Sequence, residues 1–127
     1  MDAETVVRGF IAAWTRRDRT ALAAAMHPDV ICEGISLPPV AYGREQSLAI
    51  FEPFLVADEL DWRILNIASA GRSVFTERLD RFRYPGMDWT TIRACGYFEV
   101  DNDGLITLWR DYFDREECIA AMPPATQ

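Results

Sequence analysis

Most of the second half of the chain reads as strand: residues 61–69, 73–84, 89–100 and 105–113 are rich in β-branched, aromatic and alternating residues. The segments between them are short. Pro85-Gly86 and Asp101-Asn102-Asp103-Gly104 are strong turn signals, so consecutive strands must fold back as hairpins of an antiparallel meander. Strands this long, joined this tightly, leave the rest of the chain little choice but to cover one face of a sheet.

The first half supplies the cover. Val6, Val7, Phe10, Ile11, Ala13 and Trp14 recur at three- and four-residue spacing between Asp2 and Arg17, which predicts an amphipathic helix. Thr20 is the expected N-cap of a second helix, Ala21 to Met26, stopped by His27-Pro28-Asp29 because the residue before a proline avoids the helical region. The single histidine, His27, stands at that exit in a helix-end or surface role. Val30 to Ile35 predicts a short strand, which Leu37-Pro38-Pro39 ends in an extended loop. Gly43 then marks a turn before a third helix from Arg44 to Leu55, broken or kinked late by Pro53. A short helix from Arg115 to Met122 follows the last strand, and Pro123-Pro124 closes the ordered chain. The expectation is one α+β domain over 1–127, a cone in which a curved antiparallel or mixed sheet wraps the N-terminal helices around a central pocket.

With 127 residues, 50% of them hydrophobic, one core is possible and a second domain is not. A formal charge of -7 argues against nucleic acid as a partner, because phosphates require a concentrated basic surface. Cys32, Cys95 and Cys118 form no close pair and there is one histidine, so neither a zinc site nor a disulfide framework is expected, and no metal or cofactor is required. The start Met1-Asp2-Ala3-Glu4 lacks a cationic leader and no apolar run is long enough to span a bilayer, which predicts a cytoplasmic protein with no membrane partner.

Chemistry concentrates on two strands. In Thr76 to Phe82, period-two alternation puts Thr76, Arg78, Asp80 and Phe82 on one face and Glu77, Leu79 and Arg81 on the other. Alone, this reads as a solvated edge strand with a surface ion pair, worth about 0 to 1 kcal/mol. In Leu108 to Asp114, Trp109, Asp111 and Phe113 share a face, with Arg110, Tyr112 and Asp114 opposite. An acid between two aromatic side chains is not a solvated residue, and burying it requires compensation. Arg78 with Asp80 offers that compensation, so an Asp-Arg-Asp constellation across the sheet is expected, serving either as a structural triad or as acid-base machinery.

At this point the residues acquire a family likeness. Thr76-Glu77-Arg78-Leu79-Asp80, Gly96-Tyr97-Phe98-Glu99-Val100 and Trp109-Arg110-Asp111-Tyr112-Phe113-Asp114, with Leu37-Pro38-Pro39 and Tyr42-Gly43-Arg44 upstream, resemble the limonene-1,2-epoxide hydrolase family. That family belongs to the SnoaL-like cones typified by nuclear transport factor 2 and ketosteroid isomerase. The resemblance implies one-step hydrolysis of a small apolar epoxide to a vicinal diol. In it Asp80 would be the general acid, Asp111 the general base for the attacking water, and Arg78 the bridge between them. Trp109, Phe82 and Phe113 would wall an apolar pocket. The family also shares its water with a tyrosine and an asparagine on the first strand; counting back from Leu37-Pro38-Pro39, Cys32 and Gly34 stand in their places. Glu33, by alternation, points away from both.

Three functions remain distinguishable. The first is the epoxide hydrolase. The second keeps the acid-base pair but replaces water by a hydroxyl of the substrate, or moves a proton as a ketosteroid isomerase does, and the loss of the water-holding pair favours it. The third is a non-catalytic binding or dimerisation module, which predicts a disrupted triad or a filled pocket. The outward face of the sheet, with Phe75, Leu79, Tyr97 and Tyr112, is bulkier than a solvated surface requires, so a homodimer through the sheet is expected, the alternative being that the terminal helix covers it.

Overall fold

A computed structural model describes residues 1–122. The elements run α1 (Ala3–Arg16), α2 (Arg19–Ala25), β1 (Met26–Gly34), β2 (Leu37–Tyr42), α3 (Arg44–Leu55), β3 (Glu59–Ala70), β4 (Ser73–Arg83), β5 (Thr90–Val100), β6 (Ile106–Phe113) and α4 (Arg115–Ala121). The strands form a six-stranded sheet in the order β2-β1-β6-β5-β4-β3. From β3 to β6 neighbouring strands are antiparallel, the expected meander. β1 then lies parallel to β6, which makes the sheet mixed.

Three of the four helices start from an aspartate, α3 starting instead from Gly43. Asp2 accepts from the Thr5 N–H at 2.8 Å, Asp18 from the Ala21 N–H at 3.0 Å and Asp114 from the Glu117 N–H at 2.9 Å. The second of these corrects the expectation of a Thr20 cap. Asp18 lies three residues before the amide it must reach, and its carboxylate gains from the positive end of the helix dipole as a hydroxyl would not. α1 buries Val6, Val7, Phe10, Ile11, Ala13 and Trp14, as its spacing predicts, and Thr15 pins it to β3 by accepting from the Trp62 N–H at 2.9 Å.

Two expectations fail around the prolines. β1 starts at Met26, not Val30, because the extended backbone that Pro28 imposes on His27 continues the strand. The ladder with β6 shifts register between Met26 and Ile31, so the missing Pro28 N–H falls in an irregular stretch. Leu37–Tyr42 is a strand and not a loop: it pairs antiparallel with β1 at Ile31↔Tyr42, Cys32↔Ala41 and Gly34↔Leu37. β2 is the edge of the sheet, the one position where two prolines cost no ladder hydrogen bond on the open side. Pro53 stands inside α3 without ending it, since the helix runs on to Leu55.

The concave side of the sheet holds the core. Trp14 stacks on Trp62 with centroids 4.3 Å apart, Phe98 on Trp109 at 5.6 Å, and Phe10 and Phe51 meet Trp109 edge-on. α4 lies against β5, where Arg93 pairs with Glu117 at 2.7 Å, and buries Cys118 and Ala121. It does not cover the outward face, where Phe75 and Tyr112 stay 52% and 48% exposed. The expected closure at Pro123-Pro124 lies outside the described residues. No helix among the described residues is long and apolar enough to cross a membrane.

Candidate active site

Sheet register brings the charged residues together. Thr76 on β4 is opposite Gly96 on β5, which is opposite Asp111 on β6, and one step on Arg78 is opposite Ala94, itself opposite Phe113. β4 and β6 are two strands apart, about 10 Å. Only a long side chain crosses that distance, and only if the strand between presents no side chain in its path. Gly96 clears the path: a Cβ there would sit 2.4 Å from Arg78 Nη1 and 2.7 Å from Asp111 Oδ1.

The Arg78 side chain therefore reaches across β5 past Gly96, with the residue 1% exposed. Nε and Nη2 donate to Asp80 Oδ1 and Oδ2 at 3.0 and 2.8 Å. Nη1 and Nη2 donate to Asp111 Oδ1 and Oδ2 at 3.1 and 2.7 Å, and Nη1 also donates to Thr76 Oγ1 at 3.1 Å. All of its N–H donors are thus used, which is what a buried guanidinium requires. The rings of Trp62 and Trp109 lie 5.4 and 5.8 Å from its central carbon and add a cation–π contribution. Trp109 does more than wall the pocket, since its Nε1 donates to Asp111 Oδ1 at 2.7 Å.

Burial dominates the electrostatics of Asp80. Burial pushes the Asp80 carboxyl above the ordinary carboxylate range and the neighbouring Asp111 adds to the rise, while Arg78 opposes it. Burial also works against the charge on Arg78, but the two carboxylates beside it outweigh burial and keep it protonated. With both acids ionised the buried group would carry a net negative charge; one shared proton makes it neutral, the cheaper state in a low dielectric.

Asp80 and Asp111 line an apolar cavity of about 260 Å³, with Arg78 buried behind them. Trp109, Phe82 and Phe113 line it, joined by Trp62, Phe51 and Cys118, which the sequence reading missed. Cys32 and Gly34 line it too, placed by the β1–β6 register beside Trp109 and Asp111 respectively. Burial raises the Cys32 thiol to about 11, so it stays a neutral small hydrophobe, and Ser47 is its hydrogen-bond neighbour. Cys118 is likewise raised to about 11, by burial first and by Asp80 next. The Glu33 carboxylate turns to the other face and pairs with Arg110 at 2.9 Å. The cavity is open and the triad intact, against the expectation of the non-catalytic module. Among the described residues no cluster of His, Cys, Asp or Glu could hold a metal ion. His27 lies on β1 away from this cavity, its Nδ1 accepting from the Asp29 N–H at 3.0 Å.

Of these features Gly96 left a usable trace in the sequence, because a glycine inside a strand marks close approach of another group. The Trp109 hydrogen bond left none, since it depends on a side-chain rotamer.

Fold and cavity together define a nuclear transport factor 2-like α+β protein. A protein of that fold and unknown function from Burkholderia pseudomallei superposes with a TM-score of 0.81 at 20% identity, over 96% of this chain and 98% of that one. The chain belongs to the limonene-1,2-epoxide hydrolase family, whose catalytic-domain model matches residues 1–123, and this makes it an enzyme of the epoxide hydrolase class. The epoxide hydrolase EphG of Mycobacterium tuberculosis is 33% identical over 108 residues, covering 85% of this chain and 70% of that protein. The solved structure of an epoxide hydrolase of the same type from M. tuberculosis is 28% identical, with a TM-score of 0.81 over 94% of this chain and 88% of that one.

Proposed function

We propose that the cavity opens a small apolar epoxide to a vicinal diol in one step, without a covalent enzyme intermediate. Asp80, neutral, gives its proton to the epoxide oxygen as the ring C–O bond breaks. Asp111 takes a proton from the water that attacks the ring carbon from the opposite side. Arg78 holds the two carboxyl groups at a fixed separation and keeps the site electrically neutral while the proton changes sides. Return of the proton from Asp111 to Asp80 resets the site. The observation that carries this reading is Arg78, which spends its donors on both carboxyl groups at the floor of an apolar cavity. A purely structural triad has no need to face a cavity, and buried ion networks are poor stabilisers compared with apolar packing.

The cavity volume of about 260 Å³ lies near the lower end of ligand pockets, which suits a compact cyclic or aryl epoxide rather than a long-chain one. Turnover of a panel of such epoxides tests the reading. Asp80→Asn and Asp111→Asn, with circular dichroism to verify folding, should each lower kcat by about 10²–10⁴-fold. Folded variants that turn over at the wild-type rate would remove the carboxyl groups from the mechanism.

We also infer a homodimer through the outward face of the sheet. Phe75 and Tyr112 are exposed there, with Phe75 packed on Tyr97 at 5.1 Å between centroids, an aromatic patch on a face that no helix among the described residues covers. Sedimentation velocity should give a dimer that Phe75→Glu with Tyr112→Glu converts to a monomer; a monomeric wild type at high concentration would contradict it.

A further inference from the structure

We propose that Glu117, which lies on α4 outside the cavity, is a specificity-determining residue: it latches α4 to β5, and α4 is the hinged wall that limits how large an epoxide the cavity accepts. The proposal rests on the reading of the cavity as the place where the epoxide is opened, and concerns its size limit rather than its chemistry.

Most of the cavity has walls that do not give. Trp14 stacks on Trp62, and Trp109 packs against Phe10, Phe51 and Phe98, so α1, α3 and the sheet interlock through their rings. Thr15 ties α1 to β3, and Tyr84 Oη donates to the Pro53 carbonyl at 2.7 Å, which ties α3 to the chain just after β4. α4 is the exception. Cys118, and Met122 just beyond the helix, belong to the cavity lining, yet α4 contributes no aromatic ring.

α4 fills a gap in the sheet. β6 ends its pairing at Phe113, opposite Ala94, so between Thr90 and Arg93 the side of β5 that faced β6 has lost its strand. Glu117 closes that gap. Its Oε1 accepts from the Arg93 backbone N–H at 2.8 Å, and its Oε2 accepts from Arg93 Nε and Nη2 at 3.0 and 2.7 Å. At the far end of the helix Thr90 Oγ1 reaches the Ala121 carbonyl at 3.4 Å, a long contact.

Packing adds less than this latch suggests. The buried side chains of α4, Cys118 and Ala121, are small and remove little apolar surface from water, with Met122 packed on the core after them. At seven residues the helix is shorter than the roughly 12–15 that persist alone. An element with a small buried face and a charged anchor on the surface opens locally without unfolding the sheet beneath it. The hinge is Asp114, the cap between β6 and α4. Because Cys118 and Met122 are cavity wall, opening widens the cavity at the end where the Asp80 carboxyl acts on the Cys118 thiol. A compact substrate gains nothing from that movement, and a bulky one requires it.

The test uses the full chain and two epoxides of one type: styrene oxide, which is compact, and stilbene oxide, which carries a second phenyl ring. Glu117→Ala should raise the ratio of kcat/KM for stilbene oxide to that for styrene oxide by about three- to tenfold, as expected for loss of a surface ion pair with a charge-assisted hydrogen bond. Amides of residues 115–121 should exchange with deuterated water faster by a similar factor, while those of β4 keep their wild-type rates. Glu117→Gln, which keeps an acceptor for the Arg93 N–H, should fall between Glu117→Ala and the wild type in both readouts. An unchanged ratio, or α4 amides that exchange no faster, would overturn the proposal. So would general destabilisation, with β4 and α4 amides quickening together and both epoxides losing kcat/KM alike. If the wild type turns over neither epoxide, the reading of the cavity as an epoxide site falls and the size limit with it, whereas turnover with an unchanged ratio removes only the latch.

Discussion

Replacing Gly96 by alanine adds a single methyl group at the point where Arg78 crosses β5. That methyl carbon would lie 2.4 Å from Arg78 Nη1, 2.7 Å from Asp111 Oδ1 and 3.0 Å from Phe98 Cε1. Ordinary contacts need about 3.4 Å or more, so the guanidinium must retreat by about 1 Å and the carboxylate by somewhat less. Neither has room. Arg78 is boxed in by Thr76, Asp80 and the rings of Trp62 and Trp109. The bonds that yield are those between Arg78 and Asp111, at 3.1 and 2.7 Å. Overpacking of this kind costs about 1–3 kcal/mol of stability, and a displacement of about 1 Å at reacting groups lowers kcat by about a hundredfold. Thermal unfolding should therefore show a folded but less stable variant, and steady-state kinetics on an apolar epoxide should show the loss in kcat rather than KM. A Gly96→Ala enzyme that keeps wild-type kcat would refute the claim that the arginine bridge across β5 is required.

Other consequences concern the acids, the tryptophan and the first cap. Burial raises Asp80 above its ordinary value of 3.8, so the stability its neutral form contributes is fully present below that value and is lost as pH rises through the folded pKa. Activity that needs the neutral acid should fall along the same alkaline limb, and thermal melts of Asp80→Asn should lack the decline seen in the wild type. Trp109→Phe keeps an aromatic wall but deletes the 2.7 Å bond to Asp111; a hydrogen bond to a charged group is worth about 1.5–3 kcal/mol, so kcat should drop about ten- to hundredfold with KM little changed. Asp18→Ala removes the α2 cap and should cost about 1 kcal/mol, read as a fall in Tm of about 3–6 °C with kinetics unaltered.

The hairpin strands were legible because their turns are written in Pro85-Gly86 and Asp101 to Gly104, and a period of two then assigns faces without further information. Arg78 and Asp80 on one face and Asp111 between aromatics on another were enough to expect their meeting. The bridge itself was not legible in detail. It depends on which residues of β5 lie between β4 and β6, and register is a property of the folded sheet. β2 was misread for a local reason, since Leu37-Pro38-Pro39 does favour a loop until an edge position removes the penalty. The Asp18 cap was lost to Thr20 because both residue types cap well, and the choice was made by Arg17, whose left-handed φ of 54° ends α1 and sets where α2 begins.

In the proposed mechanism Asp111 acts as a base on the nucleophile and never as a nucleophile itself. A single turnover of an epoxide without a hydroxyl, with enzyme in excess and in ¹⁸O-enriched water, addresses this most directly. Label should enter the diol in that first turnover, and the mass of the protein should remain unchanged after many more. An unlabelled diol from the first turnover, with ¹⁸O gained by Asp80 or Asp111, would mean that a carboxylate attacked the ring and would contradict the one-step mechanism.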